Sequence, residues 1–154
     1  MTTIKIDNSV WERIKKNLQQ GINLQVSTGF FPEAKYGPED EYQQVAQIAR
    51  DNAEGTVKIP PRDFMRSGFG VYLAENLDKL FLNNMKRIAD GNSTFQQEYA
   101  ALAPHLTMAM KKIIVDWTEP PNSGITIKEK GFNDPLIRTG KMRDSVESRV
   151  EKGE

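Results

Sequence analysis

Residues 22–28 read Ile22-Asn23-Leu24-Gln25-Val26-Ser27-Thr28. Apolar and polar side chains alternate strictly, the period of a strand with one face in a core and one in water. Near the other end of the chain Val146, Ser148 and Val150 alternate in the same way, which predicts a closing strand over 145–150. Between the two the period changes to that of helices. This order predicts an α+β fold: a small antiparallel sheet packed against long α-helices, with an extended loop near the C-terminus at about 119–135. At 154 residues the chain is read as a single domain, 1–154, long enough for one real core.

Upstream of the first strand, Ser9 and Glu12 have the spacing of a capping box, and Val10, Ile14 and Leu18 fall at i, i+4, i+8. Gly21 is the expected C-terminal cap of that helix, with Lys15 and Lys16 late enough to complement its dipole. Downstream, residues 29–38 read as a loop tied down by Phe30, Phe31 or Tyr36. A second helix is expected over about 39–54, with Glu39, Asp40 and Glu41 in its first turn and an apolar face of Val45, Ile48, Ala49 and Asn52. A brief extended piece, Thr56 to Ile59, should stop at Pro60-Pro61. From Arg62 to Asp90 helical spacing returns in Phe69, Leu73, Leu77, Leu80, Phe81, Met85 and Ile88, with Gly68 and Gly70 marking a bend near the start. Gly91 closes that helix. Ser93 or Thr94 opens another reaching about Trp117, with a kink or break expected at Pro104. Thr139-Gly140 can cap a short helical turn before the closing strand.

Composition narrows the function. Lys plus Arg and Asp plus Glu are both 21, so the net charge is zero, whereas a dedicated duplex-DNA binder usually carries a basic excess. With no cysteine, a disulfide framework and a thiolate zinc site are excluded. No apolar run resembles a signal peptide or a membrane span, so a soluble protein without membrane contact is expected. His105, the one histidine, has no nucleophile or metal ligand beside it in sequence and reads as an ordinary helix residue. The acidic run 39–41 lacks the turn-forming loop of a calcium site and reads as a solvated helix start. No catalytic residue, cofactor or metal site is nominated, and the expectation is a protein that is not an enzyme.

Two blocks carry a resemblance. The first, residues 26–66, runs from Gly29-Phe30 through Val45-Ala46 and Ile48-Ala49 to Gly55-Thr56 and Ile59-Pro60-Pro61-Arg62, ending in Phe64 and Arg66. The second, residues 125–150, orders a Lys-rich loop, Pro135-Leu136-Ile137, Thr139-Gly140, Met142, Ser145-Val146 and a closing strand. In this order the chain resembles the tail-completion or head–tail connector (neck) proteins of long-tailed phages. Where that family commonly has Glu-Phe-Gly, this chain has Ala53-Glu54-Gly55.

The resemblance implies a structural virion protein of the neck or tail, assembled in the host cytoplasm. Its partners would be itself, in a closed ring of about six or alternatively about twelve copies, and the neighbouring connector, tail-terminator or tail-tube proteins. Arg62, Phe64 and Arg66 would anchor it, and Leu136, Ile137, Thr139, Gly140 and Met142 would make the C-terminal contact. Pro-Pro presets an extended approach for this anchor, Phe64 plugs a pocket, and the arginines can pair with a neighbour's carboxylates.

Six cations, Lys128, Lys130, Arg138, Lys141, Arg143 and Arg149, fall within 22 positions, interleaved with acids. The plainer reading is a solvated surface with short-range ion pairs. The functional one makes Lys128, Lys130, Arg138 and Lys141 the lining of a DNA channel, in transient, non-specific contact with packaged DNA. An alternative from a different class is a small nucleic-acid-binding accessory protein that uses the basic cluster at 128–149.

Overall fold

The computed structural model describes residues 8–153, apart from the side chains of Glu39 and Leu77. The expected core role of Leu77 and the first-turn role of Glu39 lie outside the described residues.

Helix α1 spans Ser9–Gly21, with Asn8 rather than Ser9 at the N-cap position. Starting one residue earlier puts Glu12 at the fourth helical position, one beyond the place a capping box requires, and it accepts instead from Lys15 Nζ at 3.2 Å. Gly21 is the last residue of the helix and not a left-handed cap. A Cβ there would lie 2.3 Å from the Phe95 ring, so its role is to let α1 sit directly on that aromatic. Asn17 Nδ2, donating to the Ile88 carbonyl at 3.2 Å, ties the same helix to a second segment of the chain.

Strands β1 (Leu24–Gly29) and β2 (Glu147–Lys152) form the antiparallel pair, Val26 facing Val150 and Thr28 facing Ser148. Both begin two residues later than the alternation suggested. Val146, just before β2, is buried in the core. All three aromatics of the next loop tie it down. Phe30 meets Phe64 edge-on at 6.3 Å, the Arg149 guanidinium lies 3.6 Å over the Phe31 ring, and Tyr36 packs half-buried on the core.

The second helix is shorter than expected. Pro38–Asp40 is a separate 3-10 turn, and Glu41 and Tyr42 have φ of 53° and 56°, which no α-helix can contain. Helix α2 therefore begins at Val45 and runs to Glu54, with Val45 and Ala49 fully buried. The acidic run is thus not a helix start. Thr56 to Ile59 is likewise a closed turn and not an extended piece. The Thr56 N–H donates to the Ile59 carbonyl at 2.8 Å, and the Thr56 hydroxyl accepts from the Lys58 and Ile59 amides.

Asp63 caps the next element, accepting from the Arg66 amide at 3.1 Å and the Ser67 hydroxyl at 3.0 Å. A π-helical turn, Phe64–Phe69, leads into α3 (Gly70–Ala89). Gly68 is needed for close approach, since a Cβ would come within 2.7 Å of Ile113. After Gly91, left-handed at φ 75°, Thr94 and Gln97 make a full capping box for α4 (Phe95–Asp116). Pro104 does not break this helix, which continues through it.

The expected loop at 119–135 contains a short helix, α5 (Gly124–Lys130), capped by the Ser123 hydroxyl and closed by left-handed Gly131. Thr139 and Gly140 precede a one-turn α6 (Lys141–Asp144), as their chemistry suggested, the Thr139 hydroxyl accepting from the Lys141 amide at 3.3 Å. The fold is α+β. Its main core joins Val45, Phe64, Phe69, Leu106, Met110 and Ile114 with Leu136, Met142 and Val146, so α2, α4 and the C-terminal segment share one interior. Among the described residues no helix is long and apolar enough to cross a membrane.

Candidate functional site: a cationic groove

A groove of about 510 Å³ opens between the segment from Tyr36 to Arg62 and the segment from Pro121 to Met142. Its size is that of a ligand or side-chain docking site. The two sequence blocks that carry the resemblance supply most of its two walls, with Pro121, Asn122 and Ser123 added to the second, although two long helices separate them in the chain.

Arg62 is the hinge between the walls. Only 4 % exposed, it donates from Nε to the Pro120 carbonyl (2.9 Å) and from Nη2 to the Pro121 carbonyl (3.2 Å) and Asn122 Oδ1 (3.5 Å). From Nη1 it reaches Asn52 Oδ1 on α2 at 3.3 Å. Every one of these acceptors is neutral, and among the described residues no carboxylate pairs with it. Burial lowers its pKa, yet a guanidinium stays protonated in a protein, so the groove wall holds an uncompensated positive charge. The expected pairing with a neighbour's carboxylates is replaced by an intramolecular clamp on 120–122.

Further cations surround it. Lys58, Lys130, Arg138 and Lys141 also line the groove, against a single acidic residue among the described ones, Asp40. Asp40 is largely covered and already pairs with Arg138 at 3.1 Å. Burial pushes the Lys130 ammonium down, Asp134 opposes that, and the charges of Arg62 and Arg138 push it down again, which marks how closely the cations crowd. Lys130 Nζ is held by the Asp134 carbonyl at 2.6 Å. Tyr36 is pushed up, first by burial and then by Asp40, and so remains a neutral phenol. Asn122 Nδ2 is buried without a hydrogen-bond partner among the described residues. Between the polar groups Ile48, Ile59, Leu136, Ile137 and Met142 give the groove apolar surface.

The other sequence-nominated residues separate. Ile137, Thr139 and Gly140 line the groove with Leu136 and Met142, but Leu136, Met142 and Gly140 are themselves buried, so most of their contact is with this chain. Phe64 is 0 % exposed, and the pocket it plugs is the protein's own core. Arg66 is exposed on the π-helical turn and does not line the groove. Of the four proposed channel-lining cations, Lys130, Arg138 and Lys141 meet here while Lys128 does not. Arg143 and Arg149 are engaged elsewhere, by Asp144 and by Glu33 and Glu147. Lys58 and Asn122 were not singled out, and Asp40 was read only as part of a solvated acidic run. Their partners lie 60 or more residues away in the chain for Asn122 and Asp40, and no local pattern announces them.

This arrangement can hold an anionic group beside an apolar one. The hydroxyls of Ser123 and Thr126 bond one another at 2.9 Å, and no histidine faces them. His105 is exposed on α4, outside the groove. Among the described residues no cluster of His, Asp or Glu has the make-up of a metal site. No known family model, curated protein or solved structure matches this chain.

Proposed function

We propose that this chain is a structural assembly protein of the phage neck or tail, a tail-completion or connector component that works by fitting neighbouring subunits. The observation that supports this reading is the meeting of the two resemblance-bearing blocks on opposite walls of one groove, where Arg62 of the first block holds residues 120–122 just ahead of the second. A motif pair that builds one surface has a reason to occur in that order. Exposed large apolar residues, among them Trp11, Val71, Leu82 and Met108, add surface suited to subunit contact. The mechanism is shape and charge complementarity around a central channel. Imaging of assembled particles tests it: the chain should lie at the head–tail junction in several symmetric copies. A single copy, or a position away from the neck and tail, would overturn the reading.

The groove's cations favour a second reading, a nucleic-acid-binding accessory protein. Its weak point is Arg62, which lies too deep to reach a duplex backbone, and Arg149, whose guanidinium is shared by Glu33, Glu147 and the Phe31 ring. A steep loss of DNA affinity with added salt, in protein that stays monomeric, would favour this alternative.

A further inference from the structure

The outer edge of β2 is open. The Gly153 N–H donates to the Asn23 carbonyl at 2.8 Å, so in the register that follows, Leu24–Lys152, Val26–Val150 and Thr28–Ser148 are the pairs that exchange no backbone bonds. The N–H and C=O groups of Ser148, Val150 and Lys152 therefore point away from β1. Among the described residues no other hydrogen bond reaches them. Beside this edge runs a shallow trough of about 490 Å³, lined by Ala100, Ala103, Pro104 and Thr107 of α4 and by Val146 and Val150. Unpaired backbone next to small apolar side chains is a template for a further strand.

The charges on β2 select which strand fits. Val150 and Ser148 face α4, Ser148 accepting from Thr107 Oγ1 at 2.8 Å, so Glu147, Arg149 and Glu151 share the opposite face. Residues opposed across an antiparallel seam share a face, which leaves a second β2 few registers. Centred on Arg149, it opposes Arg149 to Arg149 and Glu147 to Glu151. Centred on Glu151, it opposes two glutamates. Centred on Ser148, it matches Glu147 to Arg149 but uses only 147–149 of each strand. Centred on Val150, it matches Arg149 to Glu151 twice, and the outward groups of 148, 150 and 152 bond one another.

We infer that two copies of this chain pair through their β2 strands, antiparallel and centred on Val150, making one four-stranded sheet from two two-stranded ones. Backbone bonds and closure of the trough drive the contact. Arg149 and Glu151 are already bonded within the chain, to Glu33, Glu147 and Ser27, so the pairs across the seam set the register rather than the strength. Helix α4 packs under both strands, so its two copies come to about 10 Å, the distance at which helices pack. Exposed Ala100 and Pro104 are small enough to permit that approach. The contact is two-fold and saturates at a dimer, so it is separate from any ring-closing contact and does not rest on the proposed function.

The chain has no cysteine, which makes a cross-link a direct test. Facing copies of residue 150 would lie about 5.5 Å apart, within disulfide reach. Under mild oxidation Val150→Cys should convert largely to a covalent dimer, while Gln25→Cys, on the solvent face of β1, stays mostly reduced. Sedimentation of wild type up to roughly 1 mM, the weak limit of specific affinity, should show a monomer–dimer equilibrium. Arg149→Glu and Glu151→Arg should each weaken it about tenfold, because the two-fold reverses two cross-strand pairs at once. An equimolar mixture of these two variants should dimerise again, since every seam pair is then Glu opposite Arg. Should Arg149→Glu fail to fold, Glu151→Arg and the cross-link still decide. Wild type that stays monomeric, Val150→Cys that links no faster than Gln25→Cys, or a mixture that stays apart would each overturn the inference. So would charge variants that dimerise normally, which would place the contact on the neutral β1 edge or on another surface. A neck location for a chain that never dimerises defeats this contact alone, and a dimer found away from the neck defeats the proposed function alone.

Discussion

The α3–α4 hairpin and the groove wall at 119–142 are built on opposite principles. The hairpin is held locally: helical ladders, a capping box at Thr94, left-handed Gly91 and apolar side chains at helical spacing. The groove wall contains only seven- and four-residue helices. It depends on bonds from far away, chiefly the Arg62 clamp, and on Leu136 and Met142 reaching into the core. The hairpin is a scaffold that would persist through damage to the wall. The converse does not hold, because the wall has little to fold against except that scaffold.

Phe64→Ala should produce the largest effect, since Phe64 lies in the interior both regions share. A loss of about 3–5 kcal/mol in denaturant unfolding is expected. A loss under about 1 kcal/mol would mean the two regions do not depend on a common core.

Arg62→Gln sharpens the contrast. Deleting a buried, multiply bonded guanidinium should cost about 2–3 kcal/mol and leave the Pro120 and Pro121 carbonyls unsatisfied. Amide exchange should quicken across 122–131 while 95–116 stays protected. Equal loosening of both stretches would refute a wall held separately from the hairpin.

Thr94→Ala touches only the hairpin. The lost cap should cost about 1 kcal/mol, with exchange rising in the first turn of α4 and not in the groove wall. A change confined to the wall would reverse the assignment.

The smallest effect is expected at the sheet edge. The hydrogen bond from Arg149, ahead of other causes, holds the Glu33 carboxyl below the usual range. Its folded pKa is thus below its unfolded one. The contribution is complete above the ordinary carboxylate range and is lost as pH falls through the lower folded value. Glu33→Gln should therefore flatten the acid limb of the stability profile slightly, the pair being solvent-screened. An acid limb that steepens would contradict this sign.

What could be read in the sequence divides along the same boundary. The two strands, expected at 22–28 and 145–150 and found two residues later at their starts, helices α1, α3 and α4, and the Thr139–Gly140 cap followed from periodicity and local chemistry. Each is decided by residues within about four positions of one another, which is the range a pattern can report. The failures were where a distant contact or a special backbone intervened. Glu41 and Tyr42 turned a helix start into a 3-10 turn, and Ser123 and Gly131 bracketed a helix inside an apparent loop.

The candidate site was legible as a list of residues but not as a place. Arg62, Lys130, Arg138, Lys141 and the Leu136–Met142 segment could each be nominated from the chain. Their meeting in one groove, the burial of Phe64 and Met142 in the chain's own core, and the neutrality of the acceptors that Arg62 finds among the described residues depend on chain segments some 60 residues apart. By itself the sequence determined the α+β class, the strand pair and the neutral total charge. Only the tertiary structure decided where cations gather, because net charge is a sum over residues whereas a groove is made by which residues folding brings side by side.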